Sequence, residues 1–452
     1  MVMYTESNSP HLKQLSFLAK VFAISLGLSV PSLAFGRAVF GVLFFLSFLC
    51  LICLQPWRQI GGCLVQQIKS PIGLLILCTF FLWLPNVLFS VAPVRSLEAV
   101  IRTIFFVCLA TAVWGALVND TRTLTLAFKA FIVMTAISVS FCLIATTVLP
   151  EIYWILRFQA GKSNLPIGSS LKGFSNLSVL IIPILLGVSL SLKKFWKILT
   201  LITVFAFLVF VWQSYNRSAL AGFLSIIVLV GLAYSARGIN TKAGIYWVIG
   251  SVASVTTAII YLWKSRGSRQ ELHEIKAQVV QGKLVDPKML DMSVYESIPA
   301  FFLPLWLVDF ERQIIWKGAI ELGSASPWFG IGANTINYAP GADQFIARTN
   351  FLRLIPGHPH NWVVEILAET GIIGLGGLSL VVFFMGIWTV KKWWDKKNLG
   401  LIMAFSIMAG YWGSGLFNFS YWSAWWQNAF FLSLSLCFAH ASALKNTNYQ
   451  RI

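Results

Sequence analysis

The stretch 198-ILTLITVFAFLVFVWQ-213 contains no charged residue and consists mostly of large apolar side chains. A helix needs roughly 20 such residues to cross the hydrocarbon core of a bilayer. Similar stretches recur along the 452 residues, of which 57% are hydrophobic and 11% charged, and the mean hydropathy is +0.76. These values lie far outside the range of a soluble domain, so the chain must reside in a membrane.

Consecutive apolar blocks predict an all-α integral membrane protein with about twelve transmembrane helices. They divide the chain into transmembrane helices 1–9 (residues 1–263), a large outer loop (264–361), helices 10–12 (362–441) and a tail (442–452). The loop is partly helical by its pattern and holds nine of the 16 acidic residues, so we expect a lid or a small external domain. The blocks lie at 15–36, 38–55, 71–92, 98–118, 124–149, 176–192, 198–213, 219–236, 243–263, 362–390, 399–419 and 424–441.

The formal net charge of +18 would indicate a nucleic-acid partner for a soluble protein. Here the basic residues are concentrated in alternate short loops, whereas the opposite short loops hold only Arg37, Arg95 and Arg217. This asymmetry follows the positive-inside rule. It predicts cytoplasmic termini, an even number of spans and no nucleic-acid partner, and it places the segments 150–175 and 264–361 outside.

Two of the five histidines, His358 and His360, stand just before the tenth block in 356-PGHPHNWVVEILAETGIIG-374. With an ordinary pKa near 6.5, a histidine can accept a proton at neutral pH, and such general-base catalysis contributes about 10² to 10⁴ in rate. The alternative is a structural pair that caps the helix or contacts lipid headgroups. A metal site is disfavoured, because His273 is the only other histidine on this side. No cofactor is predicted.

Arg217 and Arg312 are the candidate anion-binding residues. Arg217 stands in a very short outer loop against the topological bias, where a guanidinium could grip a phosphate; the alternative is an interfacial residue that snorkels. Arg312 begins an amphipathic helix that ends at Gly323, and its alternative role is a structural ion pair with Asp309. The turn 330-GIGAN-334 is a weaker candidate for an anion-binding nest.

Carboxylates are nearly absent from the predicted spans. The first nine contain no Asp or Glu apart from Glu98 at an edge. Proton- and ion-coupled transporters usually keep such a group inside the bilayer as a relay or a ligand. The composition therefore disfavours a lipid or solute transporter, which is kept as the alternative class of function.

The glycines and tryptophans near the last blocks indicate how the helices pack rather than a catalytic role. Four glycines in the tenth block predict close approach of another helix, and five tryptophans near block ends predict an interfacial belt. The glycines are Gly371, Gly374, Gly376 and Gly377, and the tryptophans are Trp393, Trp394, Trp422, Trp425 and Trp426.

Taken together, these elements resemble the O-antigen ligase and O-antigen polymerase family of bacterial membrane glycosyltransferases, and the ligases more closely. The family moves a glycan from an undecaprenyl diphosphate carrier to an acceptor hydroxyl, outside the inner membrane and without metal. The matching elements are Ser-x-x-Arg217 at the start of a span, 312-RQIIWKGAIELGSASPWFGIG-332, and His360-Asn361 followed by Gly371-x-x-Gly374.

The resemblance implies a role for each candidate residue. His360, which directly precedes Asn361, would be the base, with His358 in support. Arg217 and Arg312 would hold the diphosphate, and Asn361 would contribute to substrate binding. The partners implied are an undecaprenyl-diphosphate-linked glycan, a lipid A-core acceptor and the bilayer, with the active site in the periplasm. A polymerase of the same family is the alternative within this class, and a protein-glycosylating relative is less favoured.

Overall fold

The structure, a computed structural model, describes residues 15–156, 167–214, 216–237, 310–344 and 353–448, with a few positions between 249 and 260. Across these residues the regular elements are helices, and none is a strand. The predicted all-α class is confirmed for this part of the chain.

The described helices, which we number in chain order, follow the apolar blocks closely. Short 3₁₀ helices lie at Pro31–Phe35 and Ile336–Tyr338. The α-helices are α1 (Phe17–Ser29), α2 (Arg37–Leu54), α3 (Trp57–Ile68), α4 (Pro71–Leu88), α5 (Pro93–Leu117), α6 (Thr121–Thr147), α7 (Pro150–Leu156), α8 (Ile167–Ser189), α9 (Lys194–Gln213), α10 (Arg217–Arg237), α11 (Phe310–Gly323), α12 (Trp362–Lys396), α13 (Leu399–Gly415) and α14 (Ala424–Asn448).

Among the described helices, eight are long and apolar enough to cross a membrane: α2, α4, α5, α6, α8, α9, α10 and α12. Helices α1 and α13 are apolar but shorter. Eleven of the twelve predicted blocks coincide with helices, and about two thirds of the other block, 243–263, lies outside the described residues. The chain is thus a multi-pass membrane protein, while the total of twelve spans stays a prediction.

Two segments that we predicted as connections contain helices instead. Helix α3 occupies the connection between the second and third blocks, and its apolar and polar residues separate onto opposite faces, as in a helix that lies at a membrane surface. Helix α8 begins at Ile167, nine residues before the block expected at 176. The outer segment 150–175 therefore consists of α7, an undescribed stretch and the first turns of α8. In the large loop, α11 ends at Gly323 as predicted.

Helix α13 lies at the centre of the described bundle. Nearly all of its side chains are buried, and it packs against α8, α10, α12 and α14. Its contact with α10 is very close: a Cβ on Gly413 would lie 2.0 Å from Ser225 Oγ, and one on Gly222 would lie 2.9 Å from the Gly410 oxygen. This approach brings the first residues of α10 beside the last residues of α13, where the candidate site lies.

The packing roles that we predicted for the glycines of the tenth block and for the five tryptophans hold for only some of them. A Cβ on Gly374 would approach Trp83 to 3.0 Å, and one on Gly377 would approach Thr79 to 3.2 Å. These two glycines therefore allow α4 to pack closely against α12. Gly376 faces open space, and Gly371 interrupts the helix. The predicted tryptophan belt is wrong for four of its five members, which are buried in the protein: Trp393, Trp422, Trp425 and Trp426.

We expect the substitution Gly413→Val to destabilise the bundle, because the new side chain would overlap Ser225 on α10. Overpacking of this kind costs about 1–3 kcal/mol. Gly41→Val is the matched control, since Gly41 lies within α2 with no atom near its Cβ position. The measurement is the unfolding midpoint of both variants in the same detergent. Equal midpoints would contradict the close contact between α10 and α13.

Candidate active site

The two histidines meet at a single backbone carbonyl. His358 Nε2 lies 3.0 Å from the oxygen of Asn418, and His360 Nδ1 lies 3.2 Å from the same oxygen, with the two rings 4.2 Å apart. A carbonyl oxygen only accepts hydrogen bonds, so each of these nitrogens must carry the hydrogen. In the neutral imidazole of His360, the lone pair is then left on Nε2.

The backbone that carries the histidines is held in an uncommon conformation. His360 has a φ of 57°, in the left-handed region that few non-glycine residues adopt. The indole nitrogen of Trp316, on α11, donates to the oxygen of Pro359 at 2.9 Å and so fixes the residue just before His360. Strained backbone of this kind persists when the surrounding contacts determine it, and it is frequent at functional sites.

Arg312 approaches the same loop from α11. Its guanidinium donates to the oxygen of Phe417, the residue before Asn418. Ile315, Trp316 and Ala319 are buried, as the predicted face requires. Gln313 and Ile314 are buried too, so α11 is enclosed on more than one side and is less amphipathic than predicted. The alternative partner, Asp309, lies outside the described residues.

The electrostatics of the site favour a neutral imidazole and a bound anion. Burial is the main cause that lowers the pKa of His360 from its ordinary value of 6.5 to about 3, and the nearby His358, Arg312 and Lys172 act in the same direction. Burial also lowers the pKa of His358. His360 is therefore unprotonated at neutral pH, and the cations around it generate a positive potential that would attract a phosphate.

Arg217 is the first residue of α10 and lies at the edge of this cluster. The next residue, Ser218, accepts a hydrogen bond of 2.9 Å from Asn418 Nδ2 and donates one of 2.6 Å to Asn216 Oδ1. Arg217 itself is exposed at the N-terminus of α10, whose first turn is capped by Asn216. Asn216 Oδ1 accepts from the backbone nitrogen of Ala219 at 3.5 Å, and the backbone oxygen of Asn216 accepts from that of Leu220 at 3.2 Å. The structure thus brings His358, His360 and Arg312 together at residues 417–418 and places Arg217 next to a residue that holds Asn418.

Asn361 has a structural role in addition to the predicted contact with substrate. It is the N-cap of α12, and its Oδ1 accepts from the backbone nitrogens of Val363 at 2.9 Å and Val364 at 3.3 Å. A cap of this kind satisfies N–H groups that have no partner within the helix. Only its amide nitrogen remains available for a substrate, so the predicted binding role stays a prediction for that group.

Two buried acids on α12, which the sequence interpretation did not single out, hold the segments around residues 334–336 and 421–422 in place. Glu369 accepts hydrogen bonds from the backbone nitrogens of Asn334 at 2.7 Å and Ile336 at 2.9 Å, and from the indole of Trp422. Glu365, one turn earlier, accepts from the backbone nitrogen of Tyr421 at 2.7 Å. Acidic residues at positions i and i+4 of an apolar helix were the available signal.

The turn 330–334 is consequently not an open anion site. The backbone nitrogen of Asn334, and that of Ile336 just after the turn, donate to the carboxylate of Glu369, so the anion at the predicted nest belongs to the protein itself. The turn also packs directly on α12, since a Cβ on Gly330 would lie 2.2 Å from the carbonyl carbon of Glu369.

Gly371 marks a break in α12 rather than a packing position. Its φ of 68° interrupts the helix, and the backbone nitrogen of Ile372 donates to the oxygen of Pro327 at 2.9 Å instead of to its own helix. A Cβ on Gly371 would lie 2.2 Å from the oxygen of Trp328. The break separates a short outer part of α12, which carries the two acids, from the long apolar part that follows.

Among the described residues, no group of three or more His, Cys, Asp or Glu side chains is placed to hold a metal ion. The described residues give this site a neutral imidazole, in which Nε2 of His360 can accept a proton, next to guanidinium and ammonium groups.

Fold and site together define a multi-pass membrane protein with a cationic, histidine-containing site at one end of its helices. Residues 202–379 match the family model described as O-antigen ligase, which confirms the resemblance to that family. The match covers less than half of the chain and includes Arg217, Arg312 and both histidines, whereas Lys172 and Asn418 lie outside it.

Three provisionally named polysaccharide ligases are also similar to this chain, each with 23% identity. They come from Rickettsia prowazekii, Rickettsia conorii and Rickettsia typhi, and the alignments extend over 156, 154 and 156 residues. Each alignment covers 34% of this chain and 37% of the relative, so the similarity spans little more than a third of either protein.

We expect Glu369→Gln to destabilise the outer segments, because an amide presents one acceptor oxygen and one donor to a site lined by three donors. A buried hydrogen bond lost in this way costs about 1–3 kcal/mol, and more when the group is charged. Glu98→Gln is the control, since Glu98 is 68% exposed and pairs with Arg102 at the surface. The measurement is the unfolding midpoint together with protease sensitivity near residue 334. Similar behaviour of both variants would show that Glu369 does not anchor the turn.

Proposed function

We propose that this chain transfers O-antigen polysaccharide from undecaprenyl diphosphate to a sugar hydroxyl of lipid A-core, as a ligase of its family. The observation that carries this proposal is the convergence of His358, His360 and Arg312 on the peptide units of Phe417 and Asn418. A neutral base beside fixed cations is the arrangement needed to activate a hydroxyl next to a diphosphate leaving group.

In the proposed reaction, Nε2 of His360 takes the proton from the acceptor hydroxyl. The hydroxyl oxygen attacks the anomeric carbon of the donor sugar, and the bond from that carbon to the diphosphate oxygen breaks. The diphosphate leaves with the electron pair, so negative charge grows on it as the bond breaks. One displacement of this kind inverts the configuration at the anomeric carbon and needs neither a nucleophilic side chain nor a metal.

Arg312 and Arg217 stabilise the departing diphosphate in this scheme. The guanidinium of Arg312 is partly buried and held by the Phe417 oxygen, so it needs little reorganisation and stabilises a developing charge better than the same group in water. Arg217 is exposed and adds positive charge from the edge of the site. In this scheme His358 supports His360 through the carbonyl oxygen of Asn418 that both rings share, and the amide nitrogen of Asn361 donates a hydrogen bond to substrate. Lys172 adds positive potential without contacting the base directly.

The proposal includes a location and two lipid substrates. We propose that the chain spans the bacterial inner membrane with both termini in the cytoplasm, and that the site faces the periplasm. Donor and acceptor are both anchored in the bilayer, so a site at the end of the spans meets each of them at the membrane surface. The family description and the names of the Rickettsia relatives favour a ligase over a polymerase.

Substitution of His360 should abolish transfer without unfolding the protein. We choose His360→Asn, because asparagine tolerates the left-handed conformation and can still donate to the Asn418 oxygen, yet cannot act as a base. Loss of a general base lowers the rate by about 10² to 10⁴. Arg312→Lys should also lose most activity, and Lys317→Ala, exposed on the same helix, is its control.

The measurement is complementation of a strain that lacks its ligase, scored by the lipopolysaccharide ladder at equal expression. Restoration of long capped chains by the intact protein and by Lys317→Ala, but not by the other two variants, supports the ligase. Rescue only of a strain limited to single-repeat product would identify a polymerase. Full activity of His360→Asn would be expected of a transporter and would exclude the proposed base.

The pH dependence should differ between the free and the substrate-bound protein. His360 stays neutral well below pH 6.5 in the free site because its pKa is lowered to about 3. A bound diphosphate would offset the cations and raise that pKa. The acid limb of kcat/KM, which reports the free enzyme, should therefore lie at lower pH than the acid limb of kcat. An acid limb of kcat/KM centred at or above pH 6.5 would contradict this assignment.

A further inference from the structure

A long cavity of about 680 Å³ lies among α4, α5, α12, α13 and α14, apart from the histidine site. Its volume falls within the range of about 300–1,000 Å³ that is usual for small-molecule sites. Its wall follows α12 from Leu378 to Lys396, which at 1.5 Å per residue corresponds to about 27 Å. This length is close to the hydrocarbon thickness of a bilayer, about 30 Å.

The middle of the cavity is apolar. Its walls there are formed by Phe80 on α4, Val107 and Ala110 on α5, Met385 on α12 and Phe431 on α14. A narrow apolar space of this length inside a membrane bundle suits a hydrocarbon chain, which would run parallel to the helices.

One end of the cavity is polar and positively charged. Lys392 and Lys396 lie on its wall beside Gln67, Ser70 and the first turn of α4. Within the part of the chain that the structure describes, neither lysine forms an ion pair or a hydrogen bond. The N-terminus of α4 adds its partial positive charge to theirs. This end is therefore complementary to an anionic headgroup.

The opposite end is lined by the aromatic side chains of Trp83, Trp412 and Tyr421. The backbone nitrogen of Tyr421 donates to the carboxylate of Glu365 behind these rings. This end of the cavity is therefore aromatic, with an acidic residue next to it. From the break at Gly371 to Lys392, α12 extends over about 32 Å. The charged end of the cavity thus lies across the membrane from the histidines.

We propose that this cavity binds one anionic phospholipid, with its phosphate at Lys392 and Lys396 and one acyl chain between α4, α5, α12 and α14. Its headgroup would come from the leaflet opposite the histidine site. A lipid-linked donor that reacts at His360 would have its phosphates at the aromatic end of the cavity, not at the lysines. That end has no cationic lining residue and is backed by the acid Glu365, so it does not complement a phosphate. The proposal goes beyond the proposed transfer reaction and holds whether or not that reaction is correct.

The test is native mass spectrometry of the delipidated full chain, titrated with phosphatidylglycerol and, separately, with phosphatidylcholine. The test variant is Lys392→Gln with Lys396→Gln, and the matched control is Lys391→Gln with Lys397→Gln, which removes the same charge from residues that do not line the cavity. Each basic residue near an anionic headgroup changes binding by roughly fivefold, so the test variant should bind phosphatidylglycerol about 25-fold more weakly.

The expected result is tight binding of phosphatidylglycerol to the wild type and the control variant, and weak binding of phosphatidylcholine to all three proteins. Equal loss in both double variants would show that net charge, and not the cavity, holds the lipid, and would overturn the proposal. Binding of phosphatidylcholine as tight as that of phosphatidylglycerol would also overturn it. An unfolding midpoint measured without lipid verifies that each variant is folded.

Discussion

The hydrogen bonds that Glu369 accepts from Asn334, Ile336 and Trp422 join three outer segments that are far apart in sequence. A buried carboxylate is costly unless donors surround it, and here backbone and indole N–H groups supply those donors. One turn earlier, Glu365 binds the start of the segment that follows Asn418. The short outer part of α12 therefore acts as the frame on which the candidate site is assembled.

The same arrangement separates the negative and positive charges of the outer region. The two acids on α12 bind N–H groups of the protein, so they are not partners for the cations around His360. Arg312 and Lys172 keep a positive potential at the imidazole, and burial keeps that imidazole neutral. A site with an unprotonated base beside cationic side chains is suited to a phosphate-bearing substrate, because the phosphate is attracted by their positive potential.

Local patterns in the sequence were sufficient for much of this structure. Apolar block length predicted most of the helices, and Gly323 marked the end of α11, because both features depend on residues close together in the chain. The position of His358 and His360 before a span, and the placement of Arg312 on an amphipathic helix, were also predicted. The cluster these residues form was expected only from the family resemblance.

Other features depend on contacts that no local pattern contains. Asn418 has no motif of its own, and its role arises only because α13 and α10 pack closely enough to bring residue 418 to Ser218. The turn 330–334 has the sequence of an anion nest, but the anion is Glu369, more than thirty residues away. Four of the five tryptophans expected at the membrane surface are buried: Trp422 donates to that carboxylate, Trp425 and Trp426 pack in the bundle core, and Trp393 is also buried.

The most direct test of the account is the protonation state of His360, measured by ¹⁵N NMR of histidine-labelled protein in lipid at pH 7. The chain has five histidines, and His360→Asn assigns the signal. The geometry predicts a neutral imidazole with its hydrogen on Nδ1 and a lone pair on Nε2. An imidazolium at this pH, or a neutral ring with its hydrogen on Nε2, would contradict the proposal that His360 is the base.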